Sequence, residues 1–373
     1  MAACAARLVY TKALDLAVTQ IIREKELMIA DTQILLGHGS GGTMMRQIIN
    51  EVFASNFKEL GLDWDNDAAC LSPNLPAGAK IAFSTDSFVV SPWKFPGGDI
   101  GRLAVCGTVN DVASSGAQVH ALSVGFILEE GFSLEDLRTV VESMAATAKE
   151  AGVLLVTGDT KVVGKGQADK IFINTTGIGF IPAEQNTLGA HAMRPGDKIL
   201  LSGTLGDHGM SIMTTRSSLG LSADIVSDVA PLNHMMYELV KSCPHLRVMR
   251  DPTRGGLAST LNEFAECSGL DLLVYEEEIP VNDAVRGACD ILGYDVLQVA
   301  NEGKIVVVVP ESEAKRALKV LRESPYGSGA QIIGEVLKEA PHETRRPRVL
   351  IETAFGSRRI LDMLTGEQLP RIC

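Results

Sequence analysis

The sequence has no C-x-x-C pair and no Cys/His cluster at zinc-finger spacing. Its seven cysteines, at 4, 70, 106, 243, 267, 289 and 373, are thinly spread. That argues against a disulfide scaffold or a structural zinc site, and most of these cysteines are expected to be small buried hydrophobes in a reducing cytoplasm. Histidine is scarce too, with 7 in 373 residues. The longest uncharged stretch, 112–128, contains Ser114, Ser115, Gly116, Gln118 and His120, so it is too polar to span a bilayer. The first 30 residues carry Arg7 and Lys12 but no unbroken apolar run of signal-peptide length, so secretion is not expected. No solenoid repeat is evident. Net positive charge is also lacking. A formal charge of -12 repels a phosphate backbone or an anionic membrane, so any nucleotide bound here needs a metal or local amide donors.

What remains is a globular composition, 46% hydrophobic with 36 glycines, at a length that suits about two domains. Apolar β-branched runs alternate with stretches of helical period, the pattern of an α/β or α+β protein. Strands are predicted over 80–84, 119–128, 153–156, 170–181, 198–202, 271–275, 304–309 and 331–336. Helices are predicted over 44–60, 102–114, 133–151, 232–242, 256–267, 283–292 and 313–323, with an amphipathic helix over 11–30 as well. Ser133 and Asp136 form a capping box before the third of these, and Gly152 stops it. The polar break at 183–195 is the best domain boundary.

Three sets of residues carry chemistry. The first is GHGSGG at 37–42, whose Gly37, Gly39, Gly41 and Gly42 precede a helix and allow backbone amides to approach phosphate oxygens. It lacks the preceding strand and the acidic partner of a dinucleotide site, and the Lys-Ser/Thr ending of a P-loop; a phosphate-covering lid and simple turn glycines both stay open. The second set is carboxylates at the ends of apolar runs: Asp67, Asp86 and Asp159, with Asn110 and Asp111 inside an otherwise apolar helix. Singly, each end carboxylate reads as a turn or cap residue. A carboxylate within an apolar helix needs a partner, and several hard oxygen ligands point to magnesium held with nucleotide phosphates. Lys161 would add a point charge for a phosphate. The third set lies in the second half. GTLGDHG and RDPTRGG, the latter with Arg254, stand at helix starts suited to anions; His208 in the first is a candidate general base or a structural histidine, and Glu302 precedes the strand KIVVVV as a turn residue or a base.

The chain closes on Pro370-Arg371-Ile372-Cys373. From the tail alone, a dispensable frayed end is the ordinary reading. Yet roughly 20 residues at about 3.5 Å each reach some 70 Å, enough to carry the Cys373 thiol into a site or to a partner.

Together GHGSGG, STDSFVVSP, CGTVNDVASSGA, VTGDTKVV, GTLGDHG, RDPTRGG, VANEGK and the terminal PRIC resemble the HypE family of hydrogenase maturation proteins. That family belongs to the ATP-dependent superfamily of aminoimidazole ribonucleotide synthetase, selenophosphate synthetase and thiamin-monophosphate kinase. The resemblance covers about 34–373 and implies an N-terminal extension (1–33) and an ATP-binding dimerisation domain (34–187). An α+β domain (188–353) and a mobile tail (354–373) follow. It also implies a synthetase-like fold, α/β plus α+β, whose N-terminal sheets form a barrel across a homodimer. The implied reaction is ATP-dependent dehydration of a carbamoyl group on Cys373 to a thiocyanate, supplying cyanide for the hydrogenase iron. HypF is then the carbamoyltransferase that loads Cys373, and a HypC–HypD complex the acceptor of the cyanide. By position, Asp67, Asp86 and Asp111 become the Mg2+–ATP carboxylates, supported by Asn110, while Lys161 and Glu302 orient the carbamoyl group and take its protons. Two alternatives compete with this reading: a superfamily kinase acting on a free small molecule, and a module that only presents its tail.

Overall fold

The computed structural model describes residues 32–40, 42–61, 68–71, 73, 75, 77–216, 224–337, 346–363 and 371–373. The helix expected at 11–30, together with Gly41, Asp67 and Pro370, lies outside the described residues. Within them, no helix is long and apolar enough to cross a membrane.

The N-terminal unit is a four-stranded sheet covered on one face by helices. In chain order its elements are β1 (Lys80–Phe88), α1 (Ile100–Ser114), β2 (Gln118–Glu129), α2 (Leu134–Ala151), β3 (Leu154–Val163) and β4 (Ile171–Ile181). The strands lie in the order β1-β4-β2-β3, with β2 and β3 parallel and the other pairs antiparallel. Strict alternation along β1 turns Ser84 and Asp86 toward the helices and Ile81 and Phe83 outward, each of the latter two 69% exposed. Asp99 starts α1 by accepting from the amides of Gly101 (2.7 Å) and Arg102 (3.0 Å). Helix α2 opens where Ser133 Oγ accepts from the Asp136 amide at 3.3 Å, and closes at Gly152 with φ 68°, as its sequence predicts.

The second unit is built on a seven-stranded sheet. Its elements are β5 (Lys198–Leu201), α3 (Asp207–Arg216), α4 (Asn233–Ser242), β6 (Val248–Arg250), α5 (Gly256–Ser268), β7 (Leu272–Tyr275), α6 (Asp283–Leu292), β8 (Val306–Val309), α7 (Glu311–Glu323), β9 (Gln331–Val336), β10 (Val349–Glu352) and β11 (Arg358–Ile360). The strand order is β11-β10-β7-β9-β5-β8-β6. One apolar core runs without a break from the first sheet through α1 into this unit, where Leu200, Met235 and Val307 join it. Helix α1 is therefore buried on nearly every side, wedged between the two units.

Several boundaries differ from the sequence reading. β1 continues to Phe88 and β3 to Val163, so Asp86, Asp159 and Lys161 stand within strands rather than after them. The helix predicted over 44–60 breaks into α, π, α and 3₁₀ pieces from Thr43 to Leu60. Five short strands had no predicted counterpart: β6, β10 and β11, and the two-residue pair Lys94–Phe95 and Gly98–Asp99; β11 is an edge strand of three residues, two of them arginine, and shows no alternation to read. The four-stranded sheet of one chain is open, not a closed barrel.

Candidate active site

Where the two units meet, four carboxyl groups converge from four different segments. Asp111 lies on α1, where it accepts from Ser84 Oγ at 3.0 Å. Asp86, two residues further along β1, faces the same side and accepts from the Ser87 amide at 2.7 Å. Asp251 follows β6, and Glu302 stands on the loop before β8. Asp251 is 8% exposed and Glu302 2%. Burial is the largest influence on all four and raises each above the ordinary carboxylate range. Mutual repulsion adds to it: Asp251, pushed up to about 7, feels Asp111 and Asp86. Glu302, well above its usual value, feels Asp251, Asp228, Asp86 and Asp111. Two cations oppose this: Arg254 pulls Asp86 and Asp111 downward, and Arg250 pulls Asp111 and Asp251 downward.

Glu302 is held by its main chain rather than by its carboxyl. Its amide donates to Asp228 Oδ1 at 3.1 Å, and Lys304 Nζ pairs with the same carboxylate at 3.0 Å. Asn301 accepts from the Gly206 amide (2.7 Å) and donates to the Pro252 carbonyl (3.0 Å). Gly303 makes the approach possible, because a Cβ there would fall 1.6 Å from the Asp228 carbonyl oxygen. Burial raises Asp228, but Lys304 and His208 outweigh it and leave the group ionised below its usual value. By contrast Glu302 Oε1 is buried and has no hydrogen-bond partner.

The segment 371–373 is docked against this cluster. The Val89 amide donates to a main-chain oxygen of Cys373 at 3.1 Å and the Ser91 amide to the Arg371 carbonyl at 3.3 Å, so the segment runs alongside 89–91. Burial, then the charge of Glu302, push the Cys373 thiol up to about 12, with Asp86 and Asp251 adding to the effect and Arg254 opposing it. The thiol thus lies among the carboxyl groups and is protonated there.

The remaining sequence candidates fall elsewhere. Of the glycines, Gly39 lies against β3: a Cβ there would meet the Val162 backbone nitrogen at 2.7 Å, so glycine permits that loop to lie against the strand, whereas a Cβ on Gly37 would meet the Met44 side chain and one on Gly42 would meet nothing within 4 Å. Lys161 Nζ bonds Asp159 Oδ1 at 2.9 Å on the outward face of the same strand. This pair is three strands from β1, about 14 Å across the sheet, and faces away from Asp86 and Asp111. Within one chain the glycine loop and Asp159–Lys161 are therefore not gathered with the carboxyl cluster. Asn110 spends its whole amide on backbone, donating to the Ala230 carbonyl (3.0 Å) and accepting from the Leu232 amide (2.7 Å). His208 is buried, and burial lowers its pKa. Its Nε2 donates to the Ile372 carbonyl at 2.9 Å, which leaves Nδ1 to accept from Ser227 Oγ at 2.8 Å. Its contact is with the backbone next to the thiol.

Asp251 was the residue sequence reasoning missed, although it is the second residue of the RDPTRGG motif. Its signal was a carboxylate directly after an apolar strand, masked by the Pro252 that makes it read as a turn. Among the described residues no three His, Cys, Asp or Glu side chains are close enough together to hold a metal by themselves. The donor set still fits a hard cation bound partly by a ligand: oxygen donors, mutual repulsion, and an unpartnered buried carboxyl oxygen.

Comparisons with known proteins agree with this geometry. Residues 65–181 match the AIR synthase related protein N-terminal domain, and 194–345 its C-terminal domain. The chain is 52% identical over 336 residues to a hydrogenase expression/formation protein HupE of Azotobacter chroococcum mcd 1, covering 90% of this chain and 96% of that one. It is 48% identical over 350 residues to the carbamoyl dehydratase HypE of Rhodobacter capsulatus, covering 93% and 100%. Its structure matches a crystal structure of hydrogenase maturation protein HypE in complex with ATP (TM-score 0.85, 49% identity, 91% and 99% covered). It also matches a chain of a HypE–HypF complex (TM-score 0.73, 46% identity, 85% and 99% covered). A two-unit AIR synthase-like chain with a docked cysteine at a carboxyl-lined cleft, about half identical to these proteins over nine-tenths of its length, belongs to the HypE family.

Proposed function

We propose that this chain is an ATP-dependent carbamoyl dehydratase acting on its own Cys373. A carbamoyl group on Sγ, S–C(=O)–NH2, becomes a thiocyanate, S–C≡N, when its oxygen departs as phosphate and its two N–H protons leave. Relatives about half identical over most of the chain are named as carbamoyl dehydratases, and one neighbour is a complex with ATP. ATP, when bound, supplies the phosphoryl group that turns an amide oxygen into a leaving group. The observation that carries the reading is the position of Cys373 beside Glu302, Asp86, Asp251 and Arg254.

Each side chain has a role in this chemistry. Asp86 and Asp111 are the proposed holders of a magnesium ion, with Asp67 as a further ligand, and Arg254 adds positive charge for phosphate. Glu302 is the proposed acceptor of the amide protons. Burial and four neighbouring carboxyl groups keep it protonated as it stands. Cation charge among those neighbours lowers its pKa and frees the carboxylate to act as a base, so the base is armed only when the site is loaded. Lys161 and Asp159, with the glycine loop, are proposed to serve the nucleotide from the outward face of the sheet. That face presents Ile81, Phe83 and Ile127, and we infer that it pairs with its mate in a homodimer to complete the barrel. HypF as the carbamoyltransferase and a HypC–HypD iron complex as acceptor complete the proposal; a HypE–HypF complex is among the structural neighbours.

The test is the intact mass of the chain after incubation with carbamoyl donor, HypF and ATP. Gain of a carbamoyl group followed by ATP-dependent loss of one water is the expected result, and retention of that water refutes dehydration. Cys373→Ser should abolish both changes while ATP binding, followed by calorimetry, persists. A free small-molecule kinase would keep its turnover in that variant.

A further inference from the structure

We propose that Arg216, together with His208, is a latch that positions the reactive thiol: the pair grips the main-chain carbonyls of Arg371 and Ile372 and sets how often Cys373 leaves the carboxyl cleft. Arg216 ends α3, and its guanidinium donates to the Arg371 carbonyl and to the Ser91 carbonyl, tying segment 371–373 to the loop that follows β1. His208, eight positions earlier on the same helix, donates from Nε2 to the next carbonyl, that of Ile372, at 2.9 Å. The Ile372 carbonyl, which can only accept, fixes the tautomer, and Ser227 completes it: its oxygen accepts from the Val229 amide at 3.1 Å and its hydroxyl donates to Nδ1. One helix thus reads two successive carbonyls with charged and neutral donors, and both bonds end on main-chain oxygens rather than on the sulfur.

Other features mark this as a latch rather than a strut. Arg371 holds φ 55°, a left-handed conformation that an L-residue adopts only when its surroundings impose it. Its guanidinium repels that of Arg216 and, with burial, lowers the latter's pKa. Asp169 offsets the repulsion through a 2.9 Å ion pair with Arg371, and the Val89 carbonyl accepts from Arg371 Nε at 3.0 Å. A strained residue and two facing cations, balanced by a half-exposed ion pair, can be released by small changes in the cleft. The docked thiol is protonated and shielded, so attack on a carbamoyl donor requires the released state. The inference rests on Cys373 being the carrier, and its test needs neither ATP nor a donor.

The full-length protein is alkylated with iodoacetamide, and the rate at each cysteine is followed by peptide mass. Arg216→Ala removes a charged donor from the docked state and should speed alkylation of Cys373 on the order of tenfold. The exposed thiols Cys70 and Cys267 should keep their rates, and the buried Cys106, Cys243 and Cys289 should stay protected. An unchanged rate at Cys373 overturns the latch. If Arg216→Ala also opens the buried thiols, Arg216→Lys decides, since it keeps the charge but cannot bond both carbonyls. A selective increase at Cys373 in that variant supports the latch, and no increase refutes it. Faster alkylation without any dehydration in the mass assay would leave the latch standing and reject the proposed reaction.

Discussion

Glu302 and Asp251 illustrate how much of this site is a matter of environment rather than residue type. Each is an ordinary carboxylate by sequence, and each is pushed upward chiefly by burial among its own kind. For Asp251 the folded pKa of about 7 exceeds an unfolded value of about 3.9, so the folded state binds the extra proton. The contribution of Asp251 to stability is therefore fully present below about pH 4 and is lost as pH rises through about 7. Asp251→Asn should flatten this slope, and thermal unfolding midpoints between pH 5 and pH 8 are the check; a slope equal to the wild type would contradict the assignment. Glu302→Gln preserves shape and removes the base, so kcat for dehydration should fall on the order of 10²-fold or more while ATP affinity holds. The sequence singled out Asp86 and Glu302 beside apolar strands, Asp111 within an apolar helix and Cys373 as the terminal thiol. It did not single out Asp251, because an Asp before Pro has a sufficient local explanation.

At the scale of elements, α1 and α3 do the positioning. Helix α1 carries Asp111 toward the cleft, and its preceding residue, Asn110, pins the helix to 230–232 of the other unit. Asn110→Ala leaves a buried carbonyl and a buried amide without partners, which should cost about 3 kcal/mol in urea unfolding. A loss below about 1 kcal/mol would mean that water replaces the amide. The capping residues Asp99, Ser133 and Gly152 made α1 and α2 readable, since these signals are local. The short strands β6, β10 and β11 were not readable: three or four residues show too little alternation, and their pairing is decided by partners distant in the chain.

On the scale of the whole molecule, one continuous core joins the two units, while the outward face of the four-stranded sheet leaves Ile81, Phe83 and Ile127 in the open. A homodimer paired through that face should fall apart when a charge is placed on it. Phe83→Asp is expected to sediment as a monomer where the wild type sediments as a dimer; identical sedimentation would remove the barrel. By itself the sequence determined the class of each long element, the two-unit division and the residue types of the chemistry, because periodicity, caps and motif spacing are properties of neighbouring residues. Tertiary structure alone decided which of those residues meet. It buried Asp251 beside Asp86 and Asp111, turned Asp159 and Lys161 to the opposite face, and brought His208 and Arg216 onto the backbone of 371–373. Such placements follow from strand order and from packing between distant segments, where a one-residue change of register reverses the face a side chain occupies.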